Sequence, residues 1–308
     1  MIAKILIASV GLAAIVVMAA TLFSEAPATD DEATDVIFLM GQSNAAYRYT
    51  VAVPGEAEPV PEPGEAWYYG TALRPARFDD PATCSIRAMS TASGSVLGDK
   101  WPSIAATYTE ETGRSVLLAQ LAEGGASIRL FSPSLPGRLW SSSVDMAAEV
   151  FDAMRAAGMT VGNVRILWIQ GEQDAVQISV EDYKARLMEI GQTLAGGGLG
   201  CKVQLPIWIS KTRGTGNAAT AQLELAAEKP GVFRIASTLA DTFTIENGLM
   251  VDQYHYSQKA DNMLGSKIGG AMGDAAKASD KMNLAIWGII GIGVAASVLF
   301  GAFAIFRR

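Results

Sequence analysis

The sequence predicts an α/β fold built on a mainly parallel, doubly wound sheet. Three observations predict it. Five mainly apolar runs of strand length recur at residues 36–40, 115–121, 164–169, 203–210 and 232–236, the first of them apolar throughout. Runs that are near-continuously apolar, rather than alternating, mark strands buried on both faces. Helical periodicity follows at residues 102–112, 142–157, 180–194, 218–227 and 256–276. Strands that alternate with helices form a parallel sheet joined by short right-handed crossovers. No internal repeat interrupts the pattern.

The two ends stand apart from this domain. Residues 5–23 form a predominantly apolar run of 19 without a charge, and residues 284–306 are a second such run of 23. Each is long enough to cross about 30 Å of hydrocarbon as a helix. Residues 1–24 read as an uncleaved signal anchor or a signal peptide, with Lys4 ahead of the apolar stretch and Ala26-Pro27-Ala28 as the small-x-small site. Residues 25–34 form an acidic linker, 35–278 the globular domain and 283–306 a C-terminal transmembrane helix. Positive residues stay on the cytoplasmic side, so Lys4, Arg307 and Arg308 place both termini inside and the domain outside, in the periplasm or at the cell surface. Roughly 250 residues remain between the ends, enough for one sizeable core.

A formal net charge of −7 excludes the basic face that nucleic-acid binding requires. The two cysteines, Cys84 and Cys201, form no Cys-x-x-Cys, and the chain has a single histidine. That composition gives no zinc-ligand pattern. Outside the cytoplasm the two cysteines either pair as a disulfide or remain buried thiols.

One segment departs from the alternation. Residues 45–100 separate the first two strands and hold Pro54-Gly55, a proline cluster at 59–63, Trp67-Tyr68-Tyr69 and Ser93-Gly94-Ser95. Long irregular insertions are usually functional or mobile. This one follows the carboxyl end of the first strand, the edge where doubly wound sheets bind ligands.

The chemistry-bearing residues cluster at that same edge. Gly41-Gln42-Ser43-Asn44 follows the first strand and exposes a serine hydroxyl at a tight turn. A hydroxyl is a poor nucleophile without a base, and His255 is the one imidazole available. Asp252, three residues earlier, can accept the ring N–H and fix its tautomer. Gly124-Gly125 follows the second strand, where backbone N–H groups can hold an oxyanion; an ordinary glycine turn is the alternative. Gln170-Gly171-Glu172-Gln173-Asp174 follows the third strand, and there the alternative is a cap by Asp174. Each signal is weak alone, but a parallel sheet brings all of these points to one edge.

Four blocks carry a family resemblance: Phe38-Leu39-Met40-Gly41-Gln42-Ser43-Asn44, Gly124-Gly125-Ala126-Ser127-Ile128, Trp168-Ile169-Gln170-Gly171-Glu172-Gln173-Asp174 and Asp252-Gln253-Tyr254-His255. They resemble the SGNH/GDSL hydrolases, and within them the sialate O-acetylesterase-like branch that includes carbohydrate esterase family 6. The resemblance implies a flavodoxin-like three-layer α/β/α sandwich with a five-stranded parallel sheet. It implies Ser43 as nucleophile, His255 as base and then acid, and Asp252 as the orienting carboxylate. The Ser43 N–H and that of Gly124 or Gly125 would be the oxyanion donors. The family's third block reads Gly-x-Asn-Asp, but here Gln173 stands at the Asn position, so Gln170 or Gln42 would supply the third donor. Gln42, Asn44, Glu172 and Asp174 are the candidate substrate-binding residues. No metal or organic cofactor is implied.

The resemblance points to acetyl esters on carbohydrates, such as sialic acids or acetylated polysaccharides, as substrates. The other partner expected from the terminal runs is the membrane. Two further readings stand beside this one: an esterase or lipase acting on small or lipid acyl esters, and a non-catalytic glycan-binding module.

Overall fold

The computed structural model describes residues 33–46, 65–71, 74–80, 84–89, 99–135 and 137–306, with side chains as far as Met282. Among them a seven-stranded sheet runs in the order β3-β2-β4-β1-β5-β6-β7. The strands are β1 (Thr34–Gly41), β2 (Ala66–Gly70), β3 (Ser85–Ala88), β4 (Val116–Ala122), β5 (Val161–Ile169), β6 (Ile207–Ser210) and β7 (Phe233–Ser237). All neighbours pair in parallel except β2 and β3, which are antiparallel. Five helices cover the faces: α1 (Trp101–Thr112), α2 (Arg138–Ala156), α3 (Val180–Ala195), α4 (Asn217–Glu228) and α5 (Gln258–Phe306).

The continuous apolar runs are explained by the layers. Every residue of β1 is buried. Val36, Phe38 and Met40 point into one core with Val150 of α2, Leu187 of α3 and Leu225 of α4. Ile37 and Leu39 point into the other with Ile104 and Tyr108 of α1 and Leu264 and Ile268 of α5. Helices on both faces make three layers, and each large apolar side chain so enclosed contributes about 1.5–3 kcal/mol. α5 lies close on α1 because it presents glycines at the crossing. A Cβ at Gly265 would sit 2.5 Å from the Lys100 carbonyl oxygen, and one at Gly269 equally close to that of Ile104.

The sheet corrects the expected count of five strands. β1, β4, β5, β6 and β7 are the five read from the sequence, and β2 and β3 extend the sheet from within residues 45–100. The aromatic trio Trp67-Tyr68-Tyr69 suits a pleated, half-buried surface, but β2 is five residues long and flanked by turn formers. β3 is the antiparallel edge strand; its residues are half-buried or exposed and include Arg87, a charge that suits an unpaired edge. β6 is shorter than the 203–210 run, beginning after Pro206, which has no N–H to give to a ladder.

The terminal expectations fall mostly outside the described residues, the 5–23 run among them. Among the described residues no helix is long and apolar enough to cross a membrane. α5 continues past residue 276 to Phe306 as one helix, with no break between the domain and the 284–306 run. Cys84 and Cys201 are both free thiols, half-buried, and burial pushes the Cys201 thiol up to about 11.

The amino end of β1 carries a buried ionic cluster. Asp35 accepts from the Tyr108 hydroxyl at 2.6 Å and the Asn163 backbone N–H at 2.7 Å, and it pairs with Arg114 at 3.0 Å. The carboxyl end of the same strand, about 25 Å away for eight residues, carries the candidate chemistry.

Candidate active site

Strand register sets the site. Gly41, the last residue of β1, lies level with Ala122 of β4 and Ile169 of β5. The three blocks after those strands therefore leave the sheet in one row. At Gly41 the backbone takes φ +144°, and a Cβ there would lie 2.1 Å from the Ile169 carbonyl oxygen. Only glycine permits this close approach. The chain then turns tightly, the Ala45 and Ala46 N–H groups both donating to the Gln42 carbonyl.

Ser43 stands at the crest of this turn. Its Oγ lies 3.2 Å from Nε2 of His255. The other ring nitrogen, Nδ1, lies 2.7 Å from Oδ2 of Asp252. Asp252 Oδ1 accepts the backbone N–H groups of Tyr254 and His255, each at 2.8 Å. Burial works to raise the Asp252 pKa, but the His255 ring hydrogen bond and these two N–H donors outweigh it and lower it to about 2. The carboxylate is therefore ionised across the working pH range, and it holds the imidazole with its Nε2 toward the serine. This is the geometry of an activated nucleophile.

The loop that carries His255 is fastened on several sides. The Val251 N–H donates to the His255 carbonyl at 2.9 Å, and Arg213 donates to the Gln253 carbonyl at 2.9 Å. Tyr256 is buried and meets Phe243 edge to face, with ring centroids 5.4 Å apart. The histidine thus precedes α5 rather than lying on it, since that helix begins at Gln258.

The remaining predicted residues divide into two groups. Gly124 and Gly125 form an exposed turn, Gly125 at φ +68°, whose amides engage no described residue. They stay available as donors, as does the Ser43 amide. Gln170, by contrast, is fully buried. Its Nε2 donates to the Ala126 carbonyl at 3.1 Å and to Asp174 Oδ2 at 2.5 Å, and its Oε1 accepts from the Tyr183 hydroxyl at 2.7 Å. Both amide hydrogens are thus spent, one on the Ala126 carbonyl after the Gly124-Gly125 turn and one on Asp174. Asp174 is likewise buried; it accepts from the Ser127 hydroxyl and the Ile128 N–H, each at 2.7 Å. The N-cap of the 3₁₀ turn Ile128–Phe131 is Ser127, and Asp174 holds that cap and the first N–H of the turn. Gln42 uses its Oε1 to accept from the Gly171 and Gln173 N–H groups at 3.2 and 3.1 Å. Its Nε2 engages no described residue. Asn44 is fully buried and donates to Glu172 Oε1 at 2.8 Å and to the Tyr254 carbonyl at 3.0 Å.

Several supporting residues escaped the sequence reading. Tyr183 of α3 and Gln222 of α4 lie beneath the site; Gln222 Nε2 donates to the Gln170 carbonyl at 2.6 Å and to the Tyr183 hydroxyl at 3.0 Å. Burial pushes the Tyr183 hydroxyl pKa up, keeping it a neutral donor. Both sit on the inward faces of amphipathic helices, where spacing marks burial and not partners. Arg213, after β6, carried no local signal either.

Comparison with known proteins sets this geometry in a family. The family model of carbohydrate esterases described as sialic acid-specific acetylesterases matches residues 33–274. No curated protein matches the chain. Among solved structures, a protein of Arabidopsis thaliana superposes with a TM-score of 0.51 at 18% identity, over 78% of this chain and 97% of that one. A carbohydrate acetylesterase of Xanthomonas citri gives a TM-score of 0.50 at 12% identity, over 77% of this chain and 55% of that one. At such identities these two likenesses speak for the fold. The family match covers well over half of the sequence and takes in all four blocks, so the chain belongs to the sialic acid-specific acetylesterase family of carbohydrate esterases and is a carboxylic ester hydrolase.

Proposed function

We propose that the protein removes O-acetyl groups from carbohydrates, sialic acids or acetylated polysaccharides, by a Ser-His-Asp mechanism outside the cytoplasm. The observation that carries the mechanism is the line Asp252–His255–Ser43, with contacts of 2.7 and 3.2 Å. His255 Nε2 takes the Ser43 proton as Oγ attacks the acetyl carbonyl. The oxyanion is held by the Ser43 amide and that of Gly124 or Gly125. Gln42 Nε2 is the third donor, since Gln170 has no hydrogen left to give. His255 then passes its proton to the departing sugar oxygen. Water, deprotonated by the same imidazole, releases acetate from the acetyl-serine.

Membrane attachment through the terminal runs is part of the proposal, and the direction of α5 bears on the substrate. The helix begins three residues after His255. At its far side Asp280 pairs with Arg114 at 3.5 Å, and Arg114 pairs with Asp35 at the amino end of β1. Residues 258–280 thus run from the catalytic edge to the opposite one, about 33 Å along the helix. With residues 284–306 in a bilayer, the catalytic edge faces away from it. That orientation favours glycans beyond the membrane over acyl chains within it.

The test is acetate release by the full-length protein in detergent from a panel of acetylated glycans, beside a chain-length series of nitrophenyl esters. A sharp preference for acetyl supports the proposal. Turnover that rises with acyl length would favour the lipid reading, and no turnover of any ester the non-catalytic one.

A further inference from the structure

Asn44 and Glu172 stand beside the nucleophile and were natural candidates for binding substrate. Their surroundings point elsewhere. Asn44 is fully buried, and its Oδ1 and the Glu172 Oε2 are buried as well, without a hydrogen bond to a described residue. Neither atom offers a surface to a sugar.

What Asn44 does offer is one NH2 group with both hydrogens placed. One meets Glu172 Oε1 at 2.8 Å and the other the Tyr254 carbonyl oxygen at 3.0 Å. That carbonyl belongs to the peptide bond joining Tyr254 to His255. Asn44 itself follows Ser43 directly. A single buried amide is therefore attached to both ends of the Ser43–His255 hydrogen bond, by a covalent link on one side and a hydrogen bond on the other.

The amide holds only in one orientation. Turned over, its oxygen would face the Tyr254 carbonyl and the Glu172 carboxylate, two acceptors with no hydrogen to give. The anionic oxygen of Glu172 makes that turn unfavourable, so Glu172 acts through Asn44 on the histidine loop. We propose that Asn44 and Glu172 form a positioning pair that sets the reach of His255 to Ser43. The proposal rests on the serine esterase reading above.

Asn44→Asp keeps the side-chain volume and replaces the donor by an acceptor. Its kcat is expected to fall about 10²-fold, as for a misplacement near 1 Å, with KM within about threefold because no substrate contact is lost. Glu172→Ala, which frees the amide to turn, is expected to lose about tenfold in kcat. The decisive variant is the exchange Asn44→Asp with Glu172→Gln. It restores an N–H···O link between positions 44 and 172 but leaves the Tyr254 carbonyl facing a carboxylate. It is expected to stay as slow as Asn44→Asp. Recovery to within about threefold of wild type would overturn the proposal, because a mere tie between the β1 and β5 turns would then suffice.

With one histidine in the chain, protein labelled with 15N-histidine gives one pair of ring resonances. These should shift or broaden in each variant; ring signals and kcat at wild-type values in a folded variant would overturn the pairing. If Asn44→Asp fails to fold, Glu172→Ala decides on the same two measurements. Labelling by a fluorophosphonate separates the two levels. Wild type that takes no label at Ser43 sinks the esterase reading, whereas a labelled wild type with unaffected variants sinks only the positioning pair.

Discussion

Asp252→Asn removes a charge while leaving the shape of the site. Asp252 now serves two sets of donors, the His255 ring through Oδ2 and two backbone N–H groups through Oδ1. An asparagine has one oxygen. The two fixed N–H groups at 2.8 Å claim it, which turns the NH2 toward Nδ1 of His255. The imidazole must then accept at Nδ1 and carry its proton on Nε2, facing Ser43. In that tautomer it cannot take the serine proton. The expected loss in kcat is about 10²–10⁴-fold, its upper end being the roughly 10⁴-fold cost of the same change in another serine hydrolase. That corresponds to about 3–5 kcal/mol of barrier. The pH profile supplies a second readout. Because the Asp252 carboxyl is lowered to about 2, it remains ionised until the pH falls near that value. Its charged form favours the fold above the ordinary carboxylate range, and that contribution disappears only as the pH falls through about 2. An acid limb above that value therefore does not come from Asp252. The assay is steady-state hydrolysis of an acetyl ester between pH 5 and 9, as ordinary buffers allow, with His255→Ala as the control. An Asp252→Asn enzyme within threefold of wild type, or an acid limb unchanged in His255→Ala, would refute the reasoning.

Three further outcomes are expected. Ser43→Ala should abolish ester hydrolysis and fluorophosphonate labelling while leaving the circular dichroism unchanged; substantial residual turnover would remove Ser43 from its role. Gly41→Ala should destabilise the domain by about 3 kcal/mol in urea unfolding, because a Cβ at φ +144° would stand 2.1 Å from the Ile169 carbonyl oxygen; a loss below about 1 kcal/mol would mean that β1 and β5 part easily there. Protease added to cells whose outer barrier has been opened should digest the domain and spare tags on both termini; full protection of the domain would contradict an external location.

The sequence was most legible where burial is complete. β1 and β4 were read within two residues and β5 within three, because a strand enclosed on both faces is mainly apolar, with buried polar exceptions such as Gln120 of β4 and Arg165 of β5. Residues 102–112 and 180–194 anticipated α1 and α3 almost to the residue, since a helix on a sheet needs one continuous apolar stripe. β2 and β3 were not legible. Their pairing is decided by β4 and by each other, not by any local pattern, and four or five residues are too few to show a period.

The site followed the same division. Ser43, Asp252 and His255 could be named from the sequence, because a parallel sheet delivers its strand ends to one edge and the chain has a single imidazole. Which polar residues face substrate and which face inward could not be named. Gln170 and Asp174 occupy the same edge as Ser43, yet they spend their hydrogen bonds on Ala126, Ser127 and Ile128. Asn44 reaches across to Glu172 and Tyr254, 128 and 210 residues away. A side chain's neighbours set the direction of its donors, and those neighbours are supplied by chain packing. The sequence alone determined where the chemistry gathers; the tertiary structure decided which of the gathered groups remain free to do it, because a hydrogen-bond donor can be committed only once its acceptor has been brought within about 3 Å.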